Sequence, residues 1–258
     1  KGKAANMPLF RLLGGENAKV PVYATGGYLK KGSPLTACAD ELKAFIAQGY
    51  TAVKLKVGHH TMEEEVERVY ATRDAIGDAM LMLDMNACYD LNECIRFAKA
   101  VEPFNITWLE EPLHWYLQPA DFAKLAAATT IPLAHGERLY DRFTARDFIE
   151  NGGIKFVQFD STRHSGFTEH LRIAHIAEQN GIFIAPHLAP EMHGHLVSAF
   201  PRAGFIAESH GDVNRNPIWH GGLFAKKAEI KEGFLYLNES AGFGYDINWD
   251  FVQKYRVS

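Results

Sequence analysis

The feature that most constrains this chain is an alternation, repeated eight times, of a short apolar segment and a longer stretch of helical character. The apolar segments are residues 21–28, 52–58, 81–86, 107–112, 132–137, 156–161, 182–187 and 205–210. Strands that alternate with helices argue for parallel βα units. Thr61 and Glu64 form a capping box, apolar Met62, Val66, Val69 and Ile76 follow, and Gly77 is placed to stop the helix. Asp90 and Glu93 carry a related cap signal, with Leu91, Cys94, Ile95 and Ala98 as the expected buried face. Leu171, Ala174 and Ala177 repeat the theme before Gly181. The chain has 258 residues, 47% of them hydrophobic, enough for one large core. A closed α/β barrel of the TIM type, typically about 250 residues, suits that length. No glycine-rich dinucleotide fingerprint follows the first strand, which disfavours an open doubly wound sheet. Beyond residue 210 the chain is less regular, and it is expected to pack outside the barrel.

Composition removes several classes of function. The 27 Lys and Arg against 31 Asp and Glu leave a formal charge of −4, and no basic run resembles a nucleic-acid footprint. No apolar stretch approaches the ~20 residues of a membrane span. Residues 1–6 lack the long apolar segment of a secretory signal. Cys38, Cys88 and Cys94 are too few and too scattered for a disulfide framework, and their spacing is not that of a zinc finger. A cytoplasmic location is the expectation.

The second apolar segment contains Val53-Lys54-Leu55-Lys56-Val57. Side chains alternate across a strand, so Lys54 and Lys56 share the face opposite the apolar set. In a barrel whose apolar side chains meet the helices, both ammonium groups lie inside, which is costly unless anions await them. A lysine desolvated beside another cation has a lowered pKa and can serve as a base. The next three segments supply anions: Asp84, Glu110 in Glu110-Glu111-Pro112, and Glu137 after Gly136. One acidic residue after a strand is more often a cap or an ion-pair partner. Three at equivalent heights on successive strands would repel each other without a cation, and three carboxylates with water suit Mg²⁺. Asp160 and His187 end the sixth and seventh segments, placed to form a dyad in which the carboxylate fixes the imidazole tautomer. Glu208 ends the eighth, as an acid aimed at substrate or a partner for a lysine.

In this order, Lys54-Leu55-Lys56, Asp84-Met85-Asn86, Glu110-Glu111-Pro112, Gly136-Glu137, Asp160, His187 and Glu208 resemble the mandelate racemase subgroup of the enolase superfamily. The resemblance covers residues 50 to 210. It implies a (β/α)7β barrel, with Asp84, Glu110 and Glu137 as Mg²⁺ ligands. Lys56 and the His187–Asp160 dyad are implied as the two acid/base groups, and Lys54 and Glu208 as partners of the substrate carboxylate. Asn86 is implied as a support beside the metal. It also implies a homo-oligomer, and an N-terminal α+β capping domain that this chain does not show. Residues 1–18 resemble the junction ahead of the first barrel strand, 19–213 the barrel, and 214–258 the segment that returns to the cap.

The implied chemistry is abstraction of the α-proton of a hydroxy-carboxylate through an ene-diolate. Dehydration of a sugar acid to a 2-keto-3-deoxy acid is favoured, with racemisation or epimerisation of an α-hydroxy acid as the alternative. Two loops, residues 160–166 with Arg163 as a candidate substrate contact and residues 187–195, are polar enough for a polyhydroxylated acid. Three other readings are open. A zinc hydrolase would draw on His187, His193 and His195, though oxygen donors fit Mg²⁺ better. A Schiff-base aldolase would use Lys56 but would not require the carboxylates. The third is a non-catalytic barrel fragment.

Overall fold

A computed structural model describes residues 1–28, 32–211 and 222–256. Strands β1 (Lys19–Gly26), β2 (Ala52–Lys56), β3 (Met80–Asp84), β4 (Ile106–Glu110), β5 (Leu133–His135), β6 (Ile154–Val157) and β7 (Phe183–Ile184) pair in parallel, each with its successor. Strand β8 (Ala207–His210) returns to β1, with Tyr23 opposite Glu208. The ring closes just ahead of β8, where Ile184 N–H donates to Ala203 O at 2.8 Å and Phe205 N–H donates to Ile184 O at 2.9 Å. Seven helices occupy the crossovers: α2 (Ala37–Ala47), α3 (Met62–Ile76), α4 (Leu91–Val101), α5 (Pro119–Ala128), α6 (Arg142–Asn151), α7 (Gly166–Gln179) and α8 (Pro190–Ala199). This is the (β/α)7β barrel.

The helices start where the sequence places caps. Thr61 and Glu64 close a capping box, Asp90 and Glu93 another, and Gly77 ends α3 with φ of 60°. Helix α3 departs from expectation in its buried face, which holds Glu65 and Arg68 beside Val69 and Ile76. Glu65 Oε1 accepts the N–H groups of Gly58, His59 and His60 at 2.8, 2.8 and 3.0 Å, which fixes the loop that follows Lys56. Arg68 donates to Glu65 at 2.6 Å and to Gly27 O at 2.7 Å, so neither charge is stranded in the core.

Strand alternation produces two apolar layers. One set, including Val53, Leu55, Leu81, Leu83 and Leu109, packs outward against the helices. The other, Tyr23, Ala52, Met82, Trp108, Ala134, Phe156, Ala185 and Ile206, fills the ring. Two residues further along most of these strands the inward position is polar, and that upper layer is the floor of the candidate site.

The described residues after the barrel, 222–256, pack outside it. Strands β9 (Glu229–Lys231) and β10 (Phe234–Tyr236) form a hairpin that pairs antiparallel with Lys19 to Pro21, at the end of β1 away from the site. Leu235 and Leu237 press on Gly194 of α8, where an added Cβ would meet Leu235 Cδ2 at 2.6 Å. The short helix α1 (Leu9–Leu12) rests on α8 through Phe10, and α9 (Trp249–Lys254) lies near the end of the described chain. The boundary drawn at residues 213 and 214 falls outside the described residues. Among the described residues no helix is long and apolar enough to cross a membrane.

Candidate active site

Lys54 and Lys56 do point into the ring, at 0% and 7% exposure. Lys54 is bonded to Glu110, with Glu208 Oε1 at 2.9 Å and Asp84 Oδ2 at 3.3 Å. Lys56 is bonded to Asp84 and donates to Asn86 Oδ1 at 3.0 Å. Register explains the meeting: Lys56 pairs with Asp84, and Asp84 with Glu110, at the tips of three neighbouring strands. Asn86 sits at φ 45°, where asparagine is tolerated better than most residues, and its N–H donates to Asp84 Oδ1 at 2.9 Å.

The expectation that crowding lowers a lysine pKa is corrected by this arrangement. Burial does work against the charge on both lysines. The Glu110 and Glu208 carboxylates outweigh it for Lys54, and Asp84 outweighs it for Lys56, so both are raised. Desolvation and the neighbouring Asp84 charge push Glu110 well above the usual carboxylate range. Asp84 and Glu208 are held low: burial opposes ionisation, but Lys56 and Lys54 prevail at Asp84, and Lys54 at Glu208. Carboxyl groups outnumber ammonium groups in this layer, and the lysines are shared among them.

The other acid/base group lies beyond the formal ends of β6 and β7. Asp160 and His187 were expected on the strands themselves; each lies three residues past its strand. The extended pairing nonetheless continues, with Ala185 N–H donating to Val157 O and His187 N–H to Phe159 O, both at 3.1 Å. His187 Nδ1 lies 2.8 Å from Asp160 Oδ2, and Nε2 is 3.3 Å from Glu137 Oε2. Asp160 also accepts from Thr162 N and Oγ1 at 2.8 and 2.6 Å. Against desolvation, the His187 contact and the neighbouring imidazoles hold Asp160 well below the usual carboxylate range. Glu208 is the second residue of β8 rather than its end, and it accepts from Thr25 Oγ1 at 2.5 Å and Leu188 N at 3.0 Å.

Glu110 and Glu111 part company. Glu110 turns inward and accepts from Trp108 Nε1 at 3.1 Å and Gln158 Nε2 at 2.7 Å. Glu111, at φ 44°, accepts instead from Gly136 N–H and Trp115 Nε1, both at 3.1 Å. Its bond to Gly136 braces the loop that carries Glu137. A side chain at Gly136 would collide with Gln158 N at 2.8 Å. Glu137 accepts from Arg163 Nη1 at 2.8 Å. Among the described residues no three carboxylate, imidazole or thiol groups converge on one ion position as they stand. Asp84 and Glu110 meet over the lysines, while Glu137 stands across from them against Arg163 and His187.

Sequence reasoning overlooked Tyr23, Thr25, Trp108 and Gln158, all buried in or under this layer. For Trp108 and Gln158 the signal was present, since they share strand parity with Glu110 and Asp160, whereas no residue of β1 had been named. His193 and His195, raised for a zinc site, are occupied elsewhere. His193 Nε2 takes Ser161 N–H at 3.1 Å and its Nδ1 lies 2.7 Å from Leu188 O. His195 Nδ1 takes Phe10 N–H at 3.1 Å, and its Nε2 lies 3.1 Å from Phe243 O. Burial lowers each from 6.5 to about 4. A histidine depressed in the fold costs stability as pH falls from its unfolded value towards its folded one. Thermal melts should therefore lose stability between pH 6.5 and about 4. In His195→Gln the acid limb should become shallower, and an unchanged limb would count against this assignment.

Lysines on the second strand, carboxylates on or just past the next three and a His–Asp pair just past the seventh and sixth thus gather at one end of the barrel. The chain belongs to the Enolase C-terminal domain-like family, whose profile matches residues 37–251. It is 33% identical over 250 residues to L-talarate/galactarate dehydratase of Salmonella typhimurium, covering 96% of this chain and 60% of that protein. Its fold matches a mandelate racemase/muconate lactonizing enzyme from a marine actinobacterium in complex with magnesium. The TM-score is 0.91 at 32% identity, over 100% of this chain and 72% of the other. L-Talarate dehydratase from a Polaromonas species, complexed with Mg and L-glucarate, superposes with a TM-score of 0.88 at 33% identity, over 98% and 68% of the two chains. This chain thus spans less than two thirds of the length of the Salmonella enzyme.

Proposed function

We propose that this barrel removes the α-proton of a hydroxy-carboxylate and dehydrates a sugar acid to a 2-keto-3-deoxy acid. One observation carries the reading: Lys56 and the His187–Asp160 pair stand on separate walls of one mouth, with an oxygen-only donor set on the strands between. Asp84, Glu110 and Glu137 suit Mg²⁺ as hard donors, and bound there it would polarise the substrate carboxylate. Lys54, fixed by Glu208, faces that carboxylate from the far side as a preorganised positive charge for the anion that develops on it. Lys56 exchanges a proton with the α-carbon on one face, and Asn86 orients its ammonium. His187 serves the other face through Nε2, because Asp160 holds Nδ1. For dehydration, protonated His187 gives its proton to the β-hydroxyl as the C–O bond breaks. Water leaves, and the resulting enol tautomerises to the keto acid.

Two of the relatives named above, the Salmonella and Polaromonas enzymes, are named as acid-sugar dehydratases, which supports this substrate class. The test is a screen of an acid-sugar library with Mg²⁺ for 2-keto-acid formation, with NMR in D₂O following the α-carbon. Keto-acid product supports the dehydratase. Exchange without keto acid turns the reading to a racemase or epimerase, and neither signal overturns it.

A further inference from the structure

The His187–Asp160 pair sits where the sheet gives out. The last rung between the two segments that carry it is His187 N–H to Phe159 O at 3.1 Å. Two residues past Phe159, Ser161 N–H donates to a side chain, His193 Nε2, also at 3.1 Å. His193 Nδ1 lies 2.7 Å from Leu188 O. One imidazole on α8 thus bridges the residue that follows Asp160 and the residue that follows His187. Neither end of the bridge is free to change its role. A backbone N–H can only donate, so Nε2 carries no hydrogen, and Nδ1–H is left to donate to the Leu188 carbonyl. Ser161 Oγ, 2.6 Å from Nε2, then donates as well. The ring is fully buried, which favours the same neutral form.

The loop on the His187 side needs such a hold. Leu188 and Ala189 have φ of 53° and 45°, in the left-handed region that residues with a Cβ disfavour. Glu208 takes Leu188 N–H, and His193 takes both carbonyls, Leu188 O through its ring and Ala189 O through its own N–H at 2.9 Å. On the other side, Ser161 leads directly to Thr162, whose N–H and hydroxyl fix Asp160 Oδ1. Asp160 Oδ2 is thereby turned to His187 Nδ1. We infer that His193 is a positioning residue for proton transfer at His187: its imidazole clamps the two loops together and so sets the contact between His187 Nδ1 and Asp160 Oδ2. This role rests on the acid/base function proposed for His187 above. Lys56, on a separate wall, is held by Asp84 and Asn86 instead.

The first readout needs no substrate. The His187 Nδ1–H proton should give a downfield NMR signal, assigned by its absence from His187→Asn. In His193→Phe, which keeps a ring and loses both bonds, exchange of that proton with water should quicken by about tenfold to a hundredfold, the worth of two ordinary hydrogen bonds. Ser161→Ala removes only the hydroxyl bond and should move the rate the same way by less. It decides the matter if the phenylalanine variant does not fold. An unchanged rate in the folded variant overturns the clamp. The second readout is α-proton exchange in D₂O with Mg²⁺ and an acid-sugar library. Adding His193→Phe to Lys56→Ala, where only His187 serves, should slow exchange by a similar factor. Adding it to His187→Asn, where only Lys56 serves, should slow exchange far less. Equal slowing on both faces would make His193 a structural residue alone and overturn the inference. A His187 signal that depends on His193, in a native protein that exchanges no acid, would keep the clamp and remove the proposed reaction.

Discussion

Lys56→Ala should lower turnover by about a hundredfold to ten-thousandfold, the span that a positioned general acid or base contributes. The protein should remain folded and able to take up Mg²⁺. The reason lies in how the site shares its charges. Lys56 reaches the mouth, held by Asp84 and Asn86, but it is not Asp84's only partner. Lys54 stays 3.3 Å from Asp84 after the truncation, so no buried carboxylate is stranded. Circular dichroism and a Mg²⁺ titration should thus resemble the parent. His187→Asn should lose turnover comparably, since an amide can still meet Asp160 but cannot carry the proton. The two variants should differ in D₂O, because each retains the base that serves the opposite face. A substrate whose α-proton faces His187 should go on exchanging in Lys56→Ala. Loss of metal binding in either variant would sink the assignment.

The parts of this site legible in the sequence share one origin, the two-residue period of a strand. Lys54 and Lys56 could be placed inside the ring because their apolar neighbours needed the helices. The same parity reaches further than first reading took it. Tyr23 precedes Thr25, Met82 precedes Asp84, Trp108 precedes Glu110 and Phe156 precedes Gln158, each pair an apolar floor with a polar residue above it. Strand ends were less legible. The segments holding Asp160 and His187 stay extended and bonded, but the regular ladder stops at Val157 and Ile184. What the sequence hides altogether is contact between loops. Glu65 reads as one acid in an exposed run of glutamates, and only the fold brings three loop N–H groups to it. Ser161 and His193 lie on different crossovers, and no periodicity links them. The protonation of Lys56 escaped for a related reason. Burial and like charge could be read from adjacency along the chain, whereas the contact that outweighs them, Asp84, depended on the register between strands.

That balance predicts the largest stability effect in the molecule. Lys54→Met should destabilise the fold by about 3–5 kcal/mol at neutral pH, the usual consequence of removing one partner from a buried ionic cluster. Methionine fills similar space, so packing loss is small and the defect is electrostatic. Glu110, Glu208 and Asp84 all rely on this ammonium, and none is more than 1% exposed. In the parent, Asp84 and Glu208 are held below their unfolded values, so their stabilisation is present above about pH 4 and lost as pH falls. Without Lys54 the direction reverses at Glu208, where the cation that overcame burial is gone. A carboxyl raised by the fold costs stability as pH climbs past its unfolded value, because the chain must then bury an anion or retain a proton. The gap between variant and parent should therefore be widest near pH 7 and narrow towards pH 4, in melts run across that range. Mg²⁺ should close part of it at neutral pH, since without the competing ammonium the carboxylates bind the cation more tightly and the variant gains more by mass action than the parent. A gap of constant size at every pH, untouched by Mg²⁺, would mean that Lys54 serves packing and not the charge balance on which the proposed chemistry depends.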